Sequence, residues 1–217
     1  MKTLTIELKL LSNTLIGSGE GFGAIIDTDV VFDETGIPYI PARRIKGCLR
    51  DSAMDVKDMF QIAQINFPLN IEDTFGRVGD EKECSIYFTN LVIKDYEINK
   101  QWLNYFTGYK QYGTLFTTEN IVNFFTDIRQ QTSIDDKTGV AKENSLRTSR
   151  FIKKGHKFYG ELHVEDDINI DTLALACMNL RHIGTKRNRG LGEVECKLFD
   201  GTKEISLIER VEVLCKK

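Results

Sequence analysis

The apolar residues of this chain repeat with two different periods, and the order of those periods leaves few folds open. In Thr3 to Leu11 (TLTIELKLL) apolar and polar residues alternate, the period of a strand with one buried face. From Arg44 the spacing lengthens. Ile45, Leu49, Ala53, Val56, Phe60 and Ala63 lie 4, 4, 3, 4 and 3 residues apart, which predicts an amphipathic helix of about five turns. Pro38 and Pro41 keep that helix from starting earlier, because proline lacks an amide N–H and disfavours helical geometry in the residue before it. Cys84 to Ile93 (CSIYFTNLVI) predicts a second strand and Lys157 to Val164 a third. Ile170, Leu173, Cys177 and Leu180, spaced 3, 4 and 3, predict a second helix, with Asp171 near its N-terminus where a carboxylate suits the dipole. Gly192 to Phe199 and Ile205 to Val213 read as further strands. The order β-α-β, insertion, β-α-β predicts an α+β fold built on a ferredoxin-like (RRM-like, split βαβ) palm.

Gly17, Gly19, Gly21 and Gly23 mark a loop after the first strand, leading to a DETG turn set by Asp33 and Gly36. Residues 95–150 are aromatic and polar without a clear period, and the DDKTG inside TSIDDKTGVAKENS reads as a hairpin turn. Residues from about 110 to 152 therefore read as an insertion that protrudes from the core, and residues 1–217 as a single domain carrying it. No run approaches 18 consecutive apolar residues, and the alternating N-terminus lacks the unbroken apolar core of a signal peptide. The expectation is a cytoplasmic protein with no membrane partner. The five cysteines (Cys48, Cys84, Cys177, Cys196, Cys215) form no CxxC pair, and the three histidines lie far apart. Free thiols in or near the core are expected, not zinc ligands or disulfides.

A net charge of −3 argues against a polyanionic partner, but local fields steer polyanions and the average conceals three basic patches. Arg43, Arg44, Lys46 and Arg50 crowd the start of the first helix. Exposed cations there oppose the dipole by roughly 0.3–1 kcal/mol apiece, a cost that fits an anion held at outward-pointing N–H groups. Lys142, Arg147, Arg150, Lys153, Lys154 and Lys157 form the second patch. The third is RHIGTKRNRGLGEVEC (Arg181 to Cys196), which sets Arg181, Lys186, Arg187 and Arg189 among Gly184, Gly190 and Gly192. Glycines let backbone N–H groups approach a phosphate and admit positive φ. Arg187 and Arg189 add bidentate donors, and Lys186 a point charge. The loop does not match GxxxxGK[ST] and no strand leads directly into it, so nucleotide and dinucleotide loops are poor fits. A solvated basic turn is the plainer alternative.

Four stretches, in order, resemble the RAMP superfamily, the repeat-associated RNA-binding subunits of CRISPR effector complexes. They are GSGEGFGAIIDTDVVFDETGIPYIPARRIKGCLR, DTFGRVGDEKECSIYF, TSIDDKTGVAKENSLRTSRFIKKGHKF and the glycine-rich GTKRNRGLGEV, together about two-thirds of the chain. The resemblance is closest to the backbone subunit of type III effector complexes. It implies a palm with an inserted β-hairpin thumb, here the insertion at about 110–152, that protrudes between guide RNA and target. It implies that Arg43, Arg44, Lys46 and Arg50, with Gly184, Lys186, Arg187, Arg189, Gly190 and Gly192, hold guide-RNA phosphates and ribose without reading sequence. Lys142, Arg147 and Arg150 would then wedge at the guide–target duplex. The implied partners are guide RNA, complementary target RNA, neighbouring RAMP subunits and the other effector subunits.

In catalytic members an aspartate in the loop before the IP..KG motif cuts target RNA, and counting back from GIPYIPARRIKG places that position on Asp27. A carboxylate there can orient a ribose 2′-OH, help bind a divalent ion, act as a general base, or merely cap the local turn. Asp29, two residues on, can share its face in extended backbone. An unshifted carboxylate is a poor base at neutral pH, which favours metal-assisted cleavage (Mg or Mn at Asp27) or geometry-driven cleavage. Two alternatives stay open. Catalytic backbone subunits read PGSSLKG where this chain has PARRIKG, and arginine there resembles non-catalytic subunits that cap the complex or bind the guide's repeat-derived tag. The other is an endonuclease that processes precursor guide RNA, with His182 the sole candidate histidine beside the basic loop.

Overall fold

β1 (Lys2–Leu10) buries what its sequence alternates: Leu4, Ile6, Leu8 and Leu10 are fully inside, with Thr3, Thr5, Glu7 and Lys9 on the opposite face. A slip of one residue would turn all four apolar side chains to water, so the register is strongly specified. β1 is central, antiparallel to β6 (Lys157–Val164) on one side and to β7 (Val194–Asp200) on the other. β2 (Ile86–Phe88) and β3 (Val92–Ile93) both pair with β6, and β8 (Lys203–Glu204) pairs with β7. The sheet order is β2-β6-β1-β7-β8 with β3 beside β6. The computed structural model describes residues 1–19, 21, 25–76, 85–109, 111–165 and 167–215, except the side chains of 168, 209, 210, 214 and 215. Gly23, the Cys84 start of the second predicted strand, the centre of DTFGRVGDEKECSIYF and the Cys215 side chain lie outside the described residues.

α1 (Ala42–Ile62) and α5 (Ile170–Asn179) pack together on the apolar face of the sheet. α1 contributes buried Ile45, Leu49, Ala53 and Val56, and α5 contributes Leu173, Ala174, Ala176 and Cys177. Each fully buried Leu or Ile stabilises by about 1.5–3 kcal/mol. A polar link crosses the helix pair: Ser52 Oγ donates to the Ala176 carbonyl at 2.8 Å, and Asn179 Nδ2 donates to Ser52 Oγ at 3.2 Å. The chain thus runs β1-α1-β2/β3 and, after a long excursion, β6-α5-β7, with the third palm strand beside the first. That is the ferredoxin-like arrangement. Cys48, Cys177 and Cys196 are free, the last two buried.

Two expectations change. The strand over residues 84–93 is broken, because Leu91 leaves β6 to pair with Ile40, and the register steps from Ile86↔Val164 to Val92↔Tyr159 with one extra residue, a bulge. The strand over Ile205–Val213 is instead mostly α6 (Ile208–Cys215). Leu207 and Val211, four apart, pack on the core, while Val213 is exposed. The chain between β3 and β6 carries two helices and then a hairpin. α2 (Ile71–Phe75) is a single turn before β2, whereas α3 (Tyr96–Gly108) and α4 (Thr118–Phe125) precede the hairpin of β4 (Thr126–Gln131) and β5 (Arg147–Ile152). At the hairpin tip the DDKTG turn forms as its sequence suggests. Asp135 Oδ1 accepts from the Lys137 and Thr138 N–H groups at 2.9 and 3.0 Å, and Gly139 takes a φ of +67°.

Candidate nucleic-acid interface

Residues 12–19 and 25–31, between β1 and α1, form a strap along the free edge of β5. Thr14 pairs with Ile152 and Thr28 with Ser149, while Val31 N–H bonds back to the Ile16 carbonyl at 3.0 Å. The strap's other side receives the glycine loop: Thr185 N–H donates to the Leu15 carbonyl and Gly192 N–H to the Asn13 carbonyl, both at 3.1 Å. Thumb base, strap and glycine loop therefore meet in one place. The loop needs glycine at two points. A Cβ on Gly184 (φ +78°) would strike the Leu15 carbonyl, and one on Gly192 (φ +76°) would strike the Ile183 carbonyl. Gly190 (φ +69°) faces open space and is required only by its backbone.

Between those anchors, Arg187–Arg189 form a short 3-10 turn with both arginines exposed. A cleft of about 680 Å³ is lined by His182, Gly184, Thr185, Lys186, Arg187 and Arg189, with Asn188. Lys186 behaves differently from its neighbours. It is half-buried in left-handed backbone (φ 60°, ψ 28°), and its Nζ donates to Gln131 Oε1 at 2.8 Å and Ser149 Oγ at 3.1 Å. Burial and the Arg189 charge hold its pKa below the usual lysine value, with Asp27 pulling the other way.

The cations of α1 divide between two flanks. At 100° per residue Arg43, Lys46 and Arg50 fall on one side of the buried stripe and Arg44, Cys48, Asp51, Asp55 and Asp58 on the other. The second flank faces the loop across a cleft of about 490 Å³ whose walls include Cys48, Asp55, Arg181, His182 and Arg187. Burial pushes the Cys48 thiol up against the pull of Arg187 and Arg44, which both lie close enough to act on it. Arg44 is thus the α1 cation beside the glycine loop. Arg43 is exposed on the far flank, and Arg50 is half-buried there with its Nε buried and unbonded. At the helix start, Asn90 Oδ1 already accepts the Ala42 N–H at 2.8 Å.

The second patch of the sequence is dispersed. Lys142 is exposed at the thumb tip. Lys153 caps α4 by donating to the Asn123 and Phe124 carbonyls, and Lys157 pairs with Glu7 at 2.8 Å on the palm. Arg147 is exposed at the tip-side end of β5, but Arg150 is inside: its NH1 donates to both Asp29 oxygens at 3.2 and 3.0 Å, with both side chains over 90% buried. Arg150 is therefore not on the thumb surface where a duplex would meet it. Its charge is spent within the protein, as a buried ion pair requires.

Asp27 and Asp29 both address β5 but do not form an acidic pair. Asp29 is buried and committed to Arg150 and to Val30 N–H, whereas the Asp27 side chain is 42% exposed. Asp27 Oδ2 accepts the Thr148 N–H at 2.7 Å, and Oδ1 stands 3.5 Å from Arg147. Its nearest charges are cationic, and no group of three or more His, Cys, Asp or Glu side chains suited to an ion exists among the described residues. Among the described residues, one carboxylate flanked by Arg147 is a poor donor set for a divalent ion.

Residues 7–195 match the family profile described as the RAMP superfamily. The chain belongs to the RAMP superfamily. No curated protein matches it significantly. It shares its fold with a chain of the "Cryo-EM structure of the Type III-B Cmr-beta bound to cognate target RNA", at TM-score 0.66 and 14% identity over 91% of this chain and 97% of that one. The "Type III-B Cmr-beta Cryo-EM structure of the Apo state" gives TM-score 0.66 and 15% identity with the same coverage. No helix of this RAMP protein, among the described residues, is long and apolar enough to cross a membrane. Sequence reasoning missed Gln131, Thr148 and Ser149, the thumb residues that receive Lys186 and Asp27. The run of four polar residues Arg147–Arg150 inside a basic patch was the one signal for Thr148 and Ser149, and Gln131 had none.

Proposed function

We propose that this RAMP protein is a guide-RNA-binding subunit of a type III CRISPR ribonucleoprotein. The guide backbone lies along the glycine-loop cleft and the thumb enters the guide–target duplex. One observation carries the reading: in a chain of net charge −3, exposed Arg187 and Arg189 line one cleft with Lys186, which feels both Arg189 and Asp27, while Arg187 and Arg44 both act on Cys48. Donors of that kind grip phosphate and ribose, leaving sequence to base pairing. Lys142 and Arg147 serve the duplex from the thumb, and Arg43, Lys46 and Arg50 extend the basic track along the far flank of α1. Purification with neighbouring effector subunits, followed by sequencing of the bound RNA, is expected to return short RNAs with a repeat-derived tag. Subunits recovered without such RNA would refute the reading.

Asp27 is the residue assigned to target cleavage. Asp27 Oδ1 accepts a hydrogen bond from a ribose 2′-hydroxyl and aligns it in line with the scissile phosphate, and the hydroxyl proton passes to water as the 2′-oxygen attacks phosphorus. The P–O5′ bond breaks, leaving a 2′,3′-cyclic phosphate and a 5′-hydroxyl whose proton comes from water. Arg147, 3.5 Å from Asp27 Oδ1, offsets in this reading the charge that builds on the phosphoryl oxygens. In the assembled complex Asp27→Asn is expected to abolish cutting while target binding stays intact, and cutting that persists removes Asp27 from the mechanism. A second reading, processing of precursor guide RNA, draws on His182 lining the same cleft as Arg187 and Arg189. Intact processing by His182→Ala would dismiss it.

A further inference from the structure

We propose that Lys186 is a positioning residue: a strut that fixes the glycine loop to the thumb, so that the two move as one body, and not a ligand of RNA phosphate. This deepens the RNA-binding reading and rests on it for its consequence, though not for its geometry. The Lys186 ammonium reaches both thumb strands, Gln131 at the tip-side end of β4 and Ser149 midway along β5. It also lies 5.8 Å from the centroid of the fully buried Phe151 ring, a cation–π contact on the same strand. A lysine that reached for solvent phosphate would leave these partners, of which Ser149 is buried and would lose its bond to the charge. The backbone agrees. Lys186 holds left-handed φ and ψ that a non-glycine residue seldom takes, in a loop that places glycine at three other positive-φ sites. The side-chain contacts are what justify a lysine there.

The strut has a mechanical consequence. Ser149 is adjacent to Thr148, whose N–H holds Asp27, and Lys186 is adjacent to Arg187. A displacement of the thumb by a guide–target duplex is thereby carried to the cleavage carboxylate and to the phosphate-gripping arginines together. Loop affinity and thumb position become one coupled quantity.

Counterion release separates a strut from a ligand. Binding of a fluorescent single-stranded RNA by the full-length chain is measured across a salt series. Arg187→Met is expected to reduce the slope of log K on log salt by about 0.7, the loss of one phosphate contact. Lys186→Met is expected to weaken binding with the slope unchanged. Gln131→Leu combined with Ser149→Ala, which keeps the cation but removes its seats, is expected to weaken binding equally. A slope loss in Lys186→Met matching that of Arg187→Met, or a double variant that binds as tightly as the parent, overturns the proposal. Amide exchange of the RNA-free chain tests the geometry independently. Lys186→Met is expected to speed exchange roughly tenfold at Thr185, at Gly192 and across β4–β5, leaving β1 unchanged. Protection retained at either the loop or the thumb refutes the strut. A parent chain that binds no RNA refutes the RNA reading, and the exchange result still decides the strut.

Discussion

Arg147 and Arg150 are three residues apart, yet they belong to different parts of the argument. The Arg147 side chain is 65% exposed and pairs with the partly exposed Asp27. Arg150 is desolvated, and its partner Asp29 is the reason it can be charged inside the protein. Removing one member of a buried pair strands the other, at a cost of about 3–5 kcal/mol. Arg150→Met is therefore expected to lose stability on that scale in denaturant unfolding. Arg147→Met should stay within about 0.5 kcal/mol of the parent, as surface changes do, and show its effect in RNA affinity. Equal stability losses for the two would contradict the burial. Asp33 offers a pH-dependent case. Burial works to raise its carboxyl, but bonds from Thr35, Tyr96 and the Ile37 N–H outweigh burial and hold it below the ordinary value. A carboxyl depressed by folding contributes stability that is complete above its unfolded pKa of about 3.9 and is lost as pH falls through the lower folded value. Asp33→Asn is expected to flatten the acid limb of a stability–pH curve below about pH 4; an unchanged limb would assign that loss to other groups.

At the scale of elements, the thumb tip supports itself. Ser133, Asp135, Lys142 and Ser145 bond to one another and to the turn, and Ile134 and Val140 are exposed. Replacing residues 133–145 by Asn-Gly preserves the β4–β5 register, because Gln131 faces Arg147 and the next pair closes as a two-residue hairpin. The melting temperature of the palm should be nearly unchanged while guide–target duplex affinity falls; a large drop in melting temperature would mean that the tip braces the palm. The same distinction explains what the sequence discloses. β1, α1, β6, α5 and β7 bury a face against one core, so each writes its period into its residues. α3 buries no residue, and Trp102, Tyr105 and Phe106 pack on each other, leaving no stripe to read. Residues 205–213 alternate like a strand, yet Leu207 and Val211, one helical turn apart, pack on the core while Val213 is exposed. In the site, Arg187, Arg189 and the glycines stand out by composition alone. Arg150 and Lys186 do not, because what assigns them is Asp29, 121 residues away, and Gln131, 55 residues away.

Across the whole molecule, charge is arranged by flank and not by average. The same helix that presents Arg44 to the glycine loop also presents exposed Asp51, Asp55 and Asp58 further along that flank, facing Arg181 and Arg187. An RNA backbone gripped at Arg187 meets attraction toward the N-terminus of α1 and repulsion toward its C-terminus, so the field gives the strand a direction across the protein. The magnitude can be bounded. One exposed charge acting on a phosphate about 10 Å away in water contributes about 0.4 kcal/mol, so three aspartates together oppose binding along that path by about 1 kcal/mol. The Debye length is about 30 Å at 10 mM salt and about 8 Å at 150 mM, which confines the effect to dilute buffer. Changing Asp51, Asp55 and Asp58 together to Asn should tighten single-stranded RNA binding about fivefold at 10 mM salt, for all sequences alike, with the gain fading by 150 mM. Backbone cleavage mapping on bound RNA should then show protection spreading to nucleotides that the aspartates had kept away. If affinity stays the same at low salt, the RNA does not pass this flank, and the basic track must run from Arg187 toward Arg147 and the thumb alone.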